Sequence, residues 1–324
     1  MRRYVKPVLL SIAASTLALV LLPVAIPSSR DYAPDNPYWN GFTRLAGIVN
    51  ATFKNAGETV LDPGLTILFI IGPEENITDS HVSLVKAFLE NGGTVVLMDE
   101  TGVSNRLLES LNIDIKIGNR PMLDPVFYEG SWRLPKTTGL KSWMSSAGEI
   151  VMNTPSTLEP GLNTMVIAYS SPFSFLDLNG DGEYTSGEPS GPFPVAAEAA
   201  FSRGRIIVFT DSSMFLNSMV EKGGNMKLLK NIVGDGVMVV DTSLWQTQPR
   251  DSLKKVSSML LQTVSTPEAR YAAAIMLAAA AYVWASSTRP RGEVGELQQV
   301  LEKHPDWNPE LLKALEEARR NVLQ

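Results

Sequence analysis

Between residues 66 and 241, short apolar runs alternate with segments whose apolar residues recur every three or four positions. The short runs are typical of buried strands, and the longer spacing is typical of amphipathic helices. Strands are predicted at 66–72, 94–99, 113–118, 163–170, 204–211 and 237–241, and helices at 78–93, 104–112 and 224–234. Continuous apolar strands separated by helices favour an α/β fold, with a parallel sheet covered by helices on both faces.

Two stretches without charged residues flank this pattern. Residues 8–26 are mostly Leu, Val, Ile and Ala and follow three basic residues, and residues 271–288 lie between Arg270 and Arg289. About 20 apolar residues span a bilayer as a helix, and basic flanks favour the cytoplasmic side. The expectation is therefore a cell-membrane protein with two spans, a central domain outside the cytoplasm and both termini inside. A cleaved signal peptide and a buried helix are the respective alternatives.

The resulting domain plan has four parts. They are a transmembrane anchor at 1–30, an exported α/β domain at 31–267, a transmembrane helix at 268–288 and a cytoplasmic helical tail at 289–324. In the tail, Asn308 and Pro309 are typical of a helix start, and the helix that follows has an apolar stripe. That stripe favours docking on a cytoplasmic partner, with an undocked, frayed tail as the alternative.

Composition excludes several classes of chemistry. The chain has no cysteine, so it has no thiolate metal site and no cysteine nucleophile. It has only two histidines, His81 and His304, so most kinds of zinc site are not expected. The net charge is −6 and no basic patch is visible, so a nucleic-acid partner is not expected.

Four blocks of sequence, at 32–45, 68–111, 175–189 and 204–217, together resemble the family called domain of unknown function 4350. That family is similar to the class I glutamine-amidotransferase-like fold and to the exported part of the gliding-motility ABC-transporter auxiliary component. The resemblance covers roughly residues 31–241 and implies a flavodoxin-like sheet without an assigned activity. It also implies a membrane complex, with a MoxR-type AAA ATPase among the possible partners.

Amidotransferase chemistry itself is not expected from these residues. Such enzymes need a cysteine activated by a histidine, and the chain has no cysteine and no G-x-S-x-G elbow. His81 lies in the first turn of a predicted helix, where a partly exposed helical residue is the simpler interpretation.

Polar residues follow two of the predicted strands, and ligands of open α/β sheets bind beyond the carboxyl ends of the strands. The candidate ligand-binding residues are Asp99, Glu100, Thr101, Asn105, Asp211, Ser212, Ser213 and Asn217. Because Asp and Ser also cap helices and stabilise turns, a purely structural role is the alternative for each of them.

The segment 177–188 matches the twelve-residue EF-hand loop D-x-[DN]-x-[DN]-G-x5-E. The candidate Ca²⁺ ligands are Asp177, Asn179, Asp181, Glu183 through its backbone carbonyl, Thr185 and Glu188. Gly182 occupies the position of the sharp turn. The flanks are not helical, so the motif predicts a single calcium loop inserted into the α/β domain. An Asp- and Gly-rich surface turn is the alternative.

Two functions are consistent with this sequence. The first is a membrane-anchored, non-catalytic binding or scaffold protein with a calcium-stabilised domain outside the cytoplasm, as part of a membrane complex. The second is an exported hydrolase or transferase that uses the carboxylates at the carboxyl edge of the sheet. Convergence of Asp99, Asp211 and His81 in one pocket would favour the enzyme.

Overall fold

The computed structural model describes residues 25–138, 140–246, 249–264 and 300–322, together with isolated positions within 11–22 and 266–282. The chain divides into two compact units, residues 1–253 and residues 254–324, which are described separately. The strands of the first unit are β1 (Ala51–Lys54), β2 (Thr66–Ile71), β3 (Thr94–Met98), β4 (Ile115–Ile117), β5 (Met122–Leu123), β6 (Leu158–Pro160), β7 (Thr164–Tyr169), β8 (Phe175–Leu176), β9 (Pro194–Phe201), β10 (Gly204–Phe209) and β11 (Val237–Asp241). The helices of the described residues are α1 (Leu45–Ile48), α2 (Asp79–Glu90), α3 (Asn105–Ser110), α4 (Asn225–Val233), α5 (Pro249–Val264) and α6 (Pro309–Val322).

The main sheet is mixed. Within the described residues its seven strands lie in the order β1-β11-β2-β3-β10-β9-β7. The first five strands are parallel, whereas β9 pairs antiparallel with β10 and with β7. The α/β class is confirmed, but the prediction of a wholly parallel sheet is wrong. The reason is the two-residue turn at 202–203, because a connection that short joins only antiparallel strands.

The order of the parallel strands also departs from the predicted flavodoxin-like arrangement. If the five parallel strands are numbered 1 to 5 in chain order, their order across the sheet is 1-5-2-3-4. The flavodoxin-like order is 2-1-3-4-5. The remaining strands form two small antiparallel pairs, β4 with β6 and β5 with β8.

Both faces of the main sheet are buried, which explains the continuous apolar runs. In β2, Phe69 and Ile71 pack into the core that includes α4, and Leu68 and Ile70 pack into the core that includes α2 and α3. Strands β3 and β10 alternate in the same way. Burial of one such side chain contributes about 1.5–3 kcal/mol, so these strands account for much of the stability of the fold.

Helix α2 begins and ends where its sequence indicates. The Thr78 backbone N–H donates to His81 Nδ1 at 3.1 Å, which forms a capping box in which histidine takes the usual place of Glu or Gln. Val85, Phe88 and Leu89 form the buried stripe. Gly92 follows the helix with a φ of +93°, a conformation that glycine adopts without strain.

The prediction of two transmembrane helices is wrong, and with it the localisation in a cell membrane. In the part of the chain that the structure describes, no helix has both the length and the apolar character needed to cross a bilayer. Both segments lack charged residues, but the first contains Ser, Thr and Pro, and the second is rich in Ala and therefore only modestly hydrophobic. Many residues of segments 1–30 and 268–288 lie outside the described residues.

The second unit contains α6. Asn308 caps this helix, since its Oδ1 accepts a 3.0 Å hydrogen bond from the Glu310 backbone N–H, as the sequence predicted. Leu311 and Leu315 on α6 are exposed. Residues 289–299 of the predicted tail lie outside the described residues.

Candidate functional site

The carboxyl ends of β3 and β10 border a crevice, because the chain leaves these neighbouring strands toward opposite faces of the sheet. Helix α3 follows β3 and packs through Leu107 and Leu108 on one face. Helix α4 follows β10 and packs through Leu228 and Leu229 on the other. Open α/β sheets bind ligands at such switch points. The residues that follow these two strands therefore form the first candidate site.

Glu100 connects the loops that follow the two strands. Its Oε2 accepts a 2.9 Å hydrogen bond from the Ser212 backbone N–H, and Ser212 Oγ lies 2.6 Å from the Tyr32 hydroxyl. Burial raises the pKa of Glu100, against the opposing effect of its hydrogen bonds with Ser212. Burial, followed by the charge of Glu100, also raises the pKa of Tyr32. Hydrogen bonds to the backbone and side chain of Ser212 thus link Glu100 and Tyr32 across the crevice.

Asp211 is the second acid of the crevice and is completely buried. Its Oδ2 accepts a 2.6 Å hydrogen bond from the Asn153 backbone N–H, and its Oδ1 accepts one of 2.7 Å from that of Ser213. Burial, and then repulsion by the charge of Glu100, raise the pKa of Asp211 to about 8. Two neighbouring carboxyls in a site of low dielectric do not both ionise readily, so the pair retains a proton at neutral pH.

A cavity of about 290 Å³ opens onto this crevice. Its polar lining consists of Glu100, Ser213, Asn119, Arg120, Asn153 and Thr154. The loops at 119–121 and 153–155 are held together by a 2.7 Å hydrogen bond from the Met122 N–H to the Pro155 carbonyl. These two loops therefore form most of the cavity wall.

Two residues of the crevice have strained backbone conformations. Tyr32 has a φ of 61° and Thr154 has a φ of 51°. Positive φ is unfavourable for residues with a Cβ atom, and most of all for a β-branched residue such as Thr. Strained residues of this kind cluster at functional sites, where the surrounding structure holds them in place.

Three of the predicted ligand residues form hydrogen bonds that stabilise the structure around them. Asp99 accepts hydrogen bonds from Thr101, through both N and Oγ1, and from the N–H groups of Gly102 and Ser104. The Asn105 side chain pairs with both the N–H and the carbonyl of Ile117. For Asp99, Thr101 and Asn105 the structural alternative therefore describes their contacts.

Asn217 lies away from the cavity and holds the N-terminal segment of the domain. Its side chain donates to the carbonyls of Asn36 and Tyr38 and accepts from the Arg44 N–H. The residues that the structure does bring together are Glu100, Asp211, Ser212 and Ser213. Tyr32, Arg120, Asn153 and Thr154 join them from distant parts of the chain, and no local motif marks those four positions.

His81 does not join the crevice. Its Nδ1 pairs with Thr78, and its Nε2 lies 3.3 Å from Ser243 Oγ. Ser243 Oγ donates to Asp241 Oδ1 at 2.7 Å. A Ser-His-Asp triad needs the acid on the histidine, whereas here the acid accepts from the serine. The convergence of Asp99, Asp211 and His81 that would have favoured an enzyme is not found.

The second candidate site is the loop 177–188. The two ends of the loop, its neck, are held together by backbone hydrogen bonds. Strand β8 pairs with β5 immediately before the loop, and the Leu176 N–H donates to the Pro189 carbonyl just after it. As the sequence predicted, the flanks of the loop are not helical. Tyr184 packs edge-on against Phe175, with ring centroids 5.6 Å apart. These contacts fix the loop to the domain at both its neck and its middle.

The two ends of the loop are its most buried carboxylates, with Asp177 4% exposed and Glu188 8% exposed. Asp177 accepts hydrogen bonds from the N–H groups of Gly180 and Gly182, and Glu188 accepts from those of Leu178 and Thr185. Gly182 has a φ of +78°, which agrees with its predicted position in the turn. Each carboxylate has about four acceptor positions, so both retain capacity for a cation.

Three of the predicted ligands lie together inside the loop. Asn179 Nδ2 is 2.9 Å from Asp181 Oδ2 and 3.2 Å from Thr185 Oγ1. Glu183 is exposed and contributes its N–H to Asp181. The oxygen donors suit Ca²⁺ in type and order. Nevertheless, among the described residues no three or more His, Cys, Asp or Glu side chains are grouped closely enough to hold a metal ion.

The two candidate sites are connected by the backbone. The Asp177 N–H donates a 3.0 Å hydrogen bond to the carbonyl of Pro121, and Pro121 lines the cavity of the crevice. The Arg133 side chain lies beside the loop at Gly182. Its Nη2 atom would be 3.7 Å from a Cβ atom placed on Gly182. The loop 177–188 therefore supports one wall of the crevice.

Comparison with models of protein families identifies the family of this chain. The model of the domain of unknown function DUF4350 matches residues 34–233. The chain belongs to the DUF4350 family. The DUF4350 match includes Glu100, Asp211 and the whole of loop 177–188, whereas Tyr32 lies just before it. A search of curated proteins finds no match.

Several solved structures resemble this DUF4350 protein weakly. One, described as the mmIFT52 N-terminal domain, is 20% identical with a TM-score of 0.41, and the match covers 52% of this chain and 78% of that one. A cytoplasmic protein from Salmonella typhimurium LT2 is 12% identical with a TM-score of 0.35, covering 58% and 78%. A β-galactosidase from Bacillus circulans sp. alkalophilus is 14% identical with a TM-score of 0.32, covering 52% and 22%. Likenesses this weak support no inference about function.

Proposed function

We propose that this protein is a non-catalytic binding or scaffold protein whose α/β domain is stabilised by Ca²⁺ at loop 177–188. The observation that carries the proposal is the closed twelve-residue loop with a nearly buried carboxylate at each end, Asp177 and Glu188. Four carboxylates in one short segment repel one another, and a divalent cation offsets that repulsion.

In this proposal each ligand position has a separate task. Asp177, Asn179, Asp181, Thr185 and Glu188 supply side-chain oxygens, and Glu183 supplies its backbone carbonyl. The cation, when bound, supplies positive charge and fixes the loop. Because Asp177 also bonds to Pro121, calcium stabilises the wall of the crevice, so calcium binding and ligand binding are coupled.

The proposal is tested by thermal unfolding of the full chain. Calcium should raise the melting temperature, and at a free concentration of about 100 times the dissociation constant the linked stabilisation is about 2.7 kcal/mol. A chelator should reverse the shift, and magnesium should replace calcium poorly because Mg²⁺ prefers a smaller octahedral shell. Equal shifts with calcium and magnesium, or no shift with either at millimolar concentration, would contradict a calcium loop.

A hydrolase or transferase is the second candidate function, and one observation favours it. Glu100 and Asp211 follow the two neighbouring strands with raised pKa values, and Glu100 lines an open cavity. Acids with such pKa values are suited to proton transfer near neutral pH. Chromogenic ester, amide, glycoside and phosphate substrates test this candidate, and activity that survives Glu100→Gln would argue against it.

The family resemblance extends the proposal to fold and partners. We infer a class I glutamine-amidotransferase-like domain that has no amidotransferase activity, since the chain lacks cysteine. Proteins of a larger complex, including a MoxR-type AAA ATPase, are the proposed partners. Co-purification of that ATPase with the full chain, dependent on calcium, is the expected result.

A further inference from the structure

The crevice between β3 and β10 carries a charge pattern that indicates the class of its ligand. This inference rests on the binding role proposed above and names the small molecule that the crevice takes. The cavity volume of about 290 Å³ lies just below the range for small-molecule pockets, about 300–1,000 Å³, so a small ligand is expected.

The inner end of the cavity is acidic and lacks a cation. Glu100 lines it, and Asp211 lies directly behind, bonded to Asn153 and Ser213 of the cavity wall. Neither acid takes part in any ion pair formed among the described residues. Buried acids without a partner cation are costly to ionise, so a cationic group that enters the cavity gains the Glu100 carboxylate as a partner, and the charge of Asp211 behind it adds to the attraction.

The outer rim carries the opposite charge. Arg120 is exposed, lines the same cavity and forms no ion pair within the described part of the chain. A guanidinium binds carboxylates in a two-pronged geometry. The other charged or titratable groups at the crevice are Asp99, which bonds to its own loop, and Tyr32, which bonds to Ser212.

We propose that the crevice binds a small zwitterion, with its ammonium group at Glu100 and its carboxylate at Arg120. Asn119, Asn153 and Ser213 of the cavity wall supply further polar contacts. The binding is non-covalent. Entry of the ammonium favours the ionised acids, so binding at neutral pH releases protons.

A series of amino acids of increasing length tests the proposal. Glycine, β-alanine, 4-aminobutyrate and 5-aminopentanoate differ only in the distance between ammonium and carboxylate. Each is titrated into the full chain with saturating calcium by isothermal titration calorimetry, and pentylammonium and pentanoate serve as singly charged controls. One length should bind about tenfold more tightly than the others and than either control. A pH-stat measurement in unbuffered salt solution should record proton release.

Two variants and one control locate the site. Glu100→Gln should weaken binding of the best amino acid by about tenfold or more and remove the proton release. Arg120→Gln should remove the preference for the amino acid over pentylammonium, and this exposed position is not expected to affect folding. Arg203→Gln is the matched control, because Arg203 bonds to Glu90 and Asn91 at the opposite end of β10.

The outcomes separate this inference from the calcium proposal. If no member of the series binds at millimolar concentration while calcium still raises the melting temperature, the zwitterion inference is wrong and the calcium loop stands. Binding that is unchanged in Glu100→Gln or equally reduced in Arg203→Gln also overturns it. Failure of the calcium response alone leaves the amino-acid series as an independent test of the crevice.

Discussion

Replacing Asp211 by Asn should change how the free energy of unfolding depends on pH. Burial raises the pKa of this carboxyl from 3.8 to about 8, so the folded state keeps a proton that the unfolded state has lost. For a raised pKa, the stabilisation is complete below about pH 4 and is lost as the pH rises through about 8. The pH range of interest therefore lies between those two values.

The magnitude follows from the difference of one proton. Within that range, the free energy of unfolding should fall by about 1.4 kcal/mol for each pH unit because of Asp211 alone. Glu100 adds a change of the same sign, since burial also raises its pKa. Asp211→Asn removes the first contribution and retains one acceptor for the N–H groups of Asn153 and Ser213. The stability of the variant relative to the original chain should therefore rise by about 1.4 kcal/mol for each pH unit between about pH 5 and pH 8.

The assay is urea unfolding at unit intervals between about pH 5 and pH 8, with a chelator present so that loop 177–188 does not contribute. Asp235→Asn, which removes an exposed carboxylate, is the control and should leave the slope unchanged. Parallel stability curves for Asp211→Asn and the original chain would refute the assignment of a protonated acid at this position.

Three further changes test other parts of the structure. Asn225→Ala should lower the free energy of unfolding by about 3 kcal/mol, because its buried amide bonds to four backbone groups; a loss below about 1 kcal/mol in urea unfolding would contradict this. Gly72→Ala should cost about 1–3 kcal/mol, since φ is +52° and the new Cβ atom would lie 2.9 Å from the Tyr32 ring; an unchanged melting temperature would show that the ring moves freely. Arg133→Gln should tighten calcium binding a few-fold in calorimetry, because it removes a positive charge beside loop 177–188, and weaker binding would argue against that repulsion.

Much of the main sheet was predictable because its strands are buried on both faces. The runs that became β2, β3, β10 and β11 are continuous apolar segments whose bounds agree with the prediction within two residues. Helix α2 was predictable for a different reason, since Thr78 and Gly92 mark its two ends. Local chemistry and burial point to the same structure in these elements.

Strand β9 was not predictable from its own sequence. Pro194–Phe201 contains four alanines, which favour helix when taken alone. In the sheet, β9 lies between β10 and β7, and Ala196 and Ala197 are completely buried there. Tertiary pairing therefore overrides local propensity, and the antiparallel part of the sheet was missed.

The crevice was predictable in position but only partly in composition. The strand ends indicated Glu100, Asp211, Ser212 and Ser213, because polar residues beyond parallel strands meet at one edge of the sheet. Sequence does not separate an acid that faces a cavity from one that caps its own loop, as Asp99 does. Residues supplied by other segments were missed, because only the folded chain brings them to this edge.

The central claim is that loop 177–188 binds Ca²⁺, and calorimetric titration of calcium into the full chain tests it most directly. We expect one site, with a dissociation constant of about 10⁻³ M or tighter, within the range of EF-hand loops. Asp177→Ala should abolish the binding heat, whereas Glu183→Gln should leave it nearly unchanged, because that position contributes only its backbone carbonyl. Absence of binding at millimolar calcium, or equal losses in the two variants, would contradict the account.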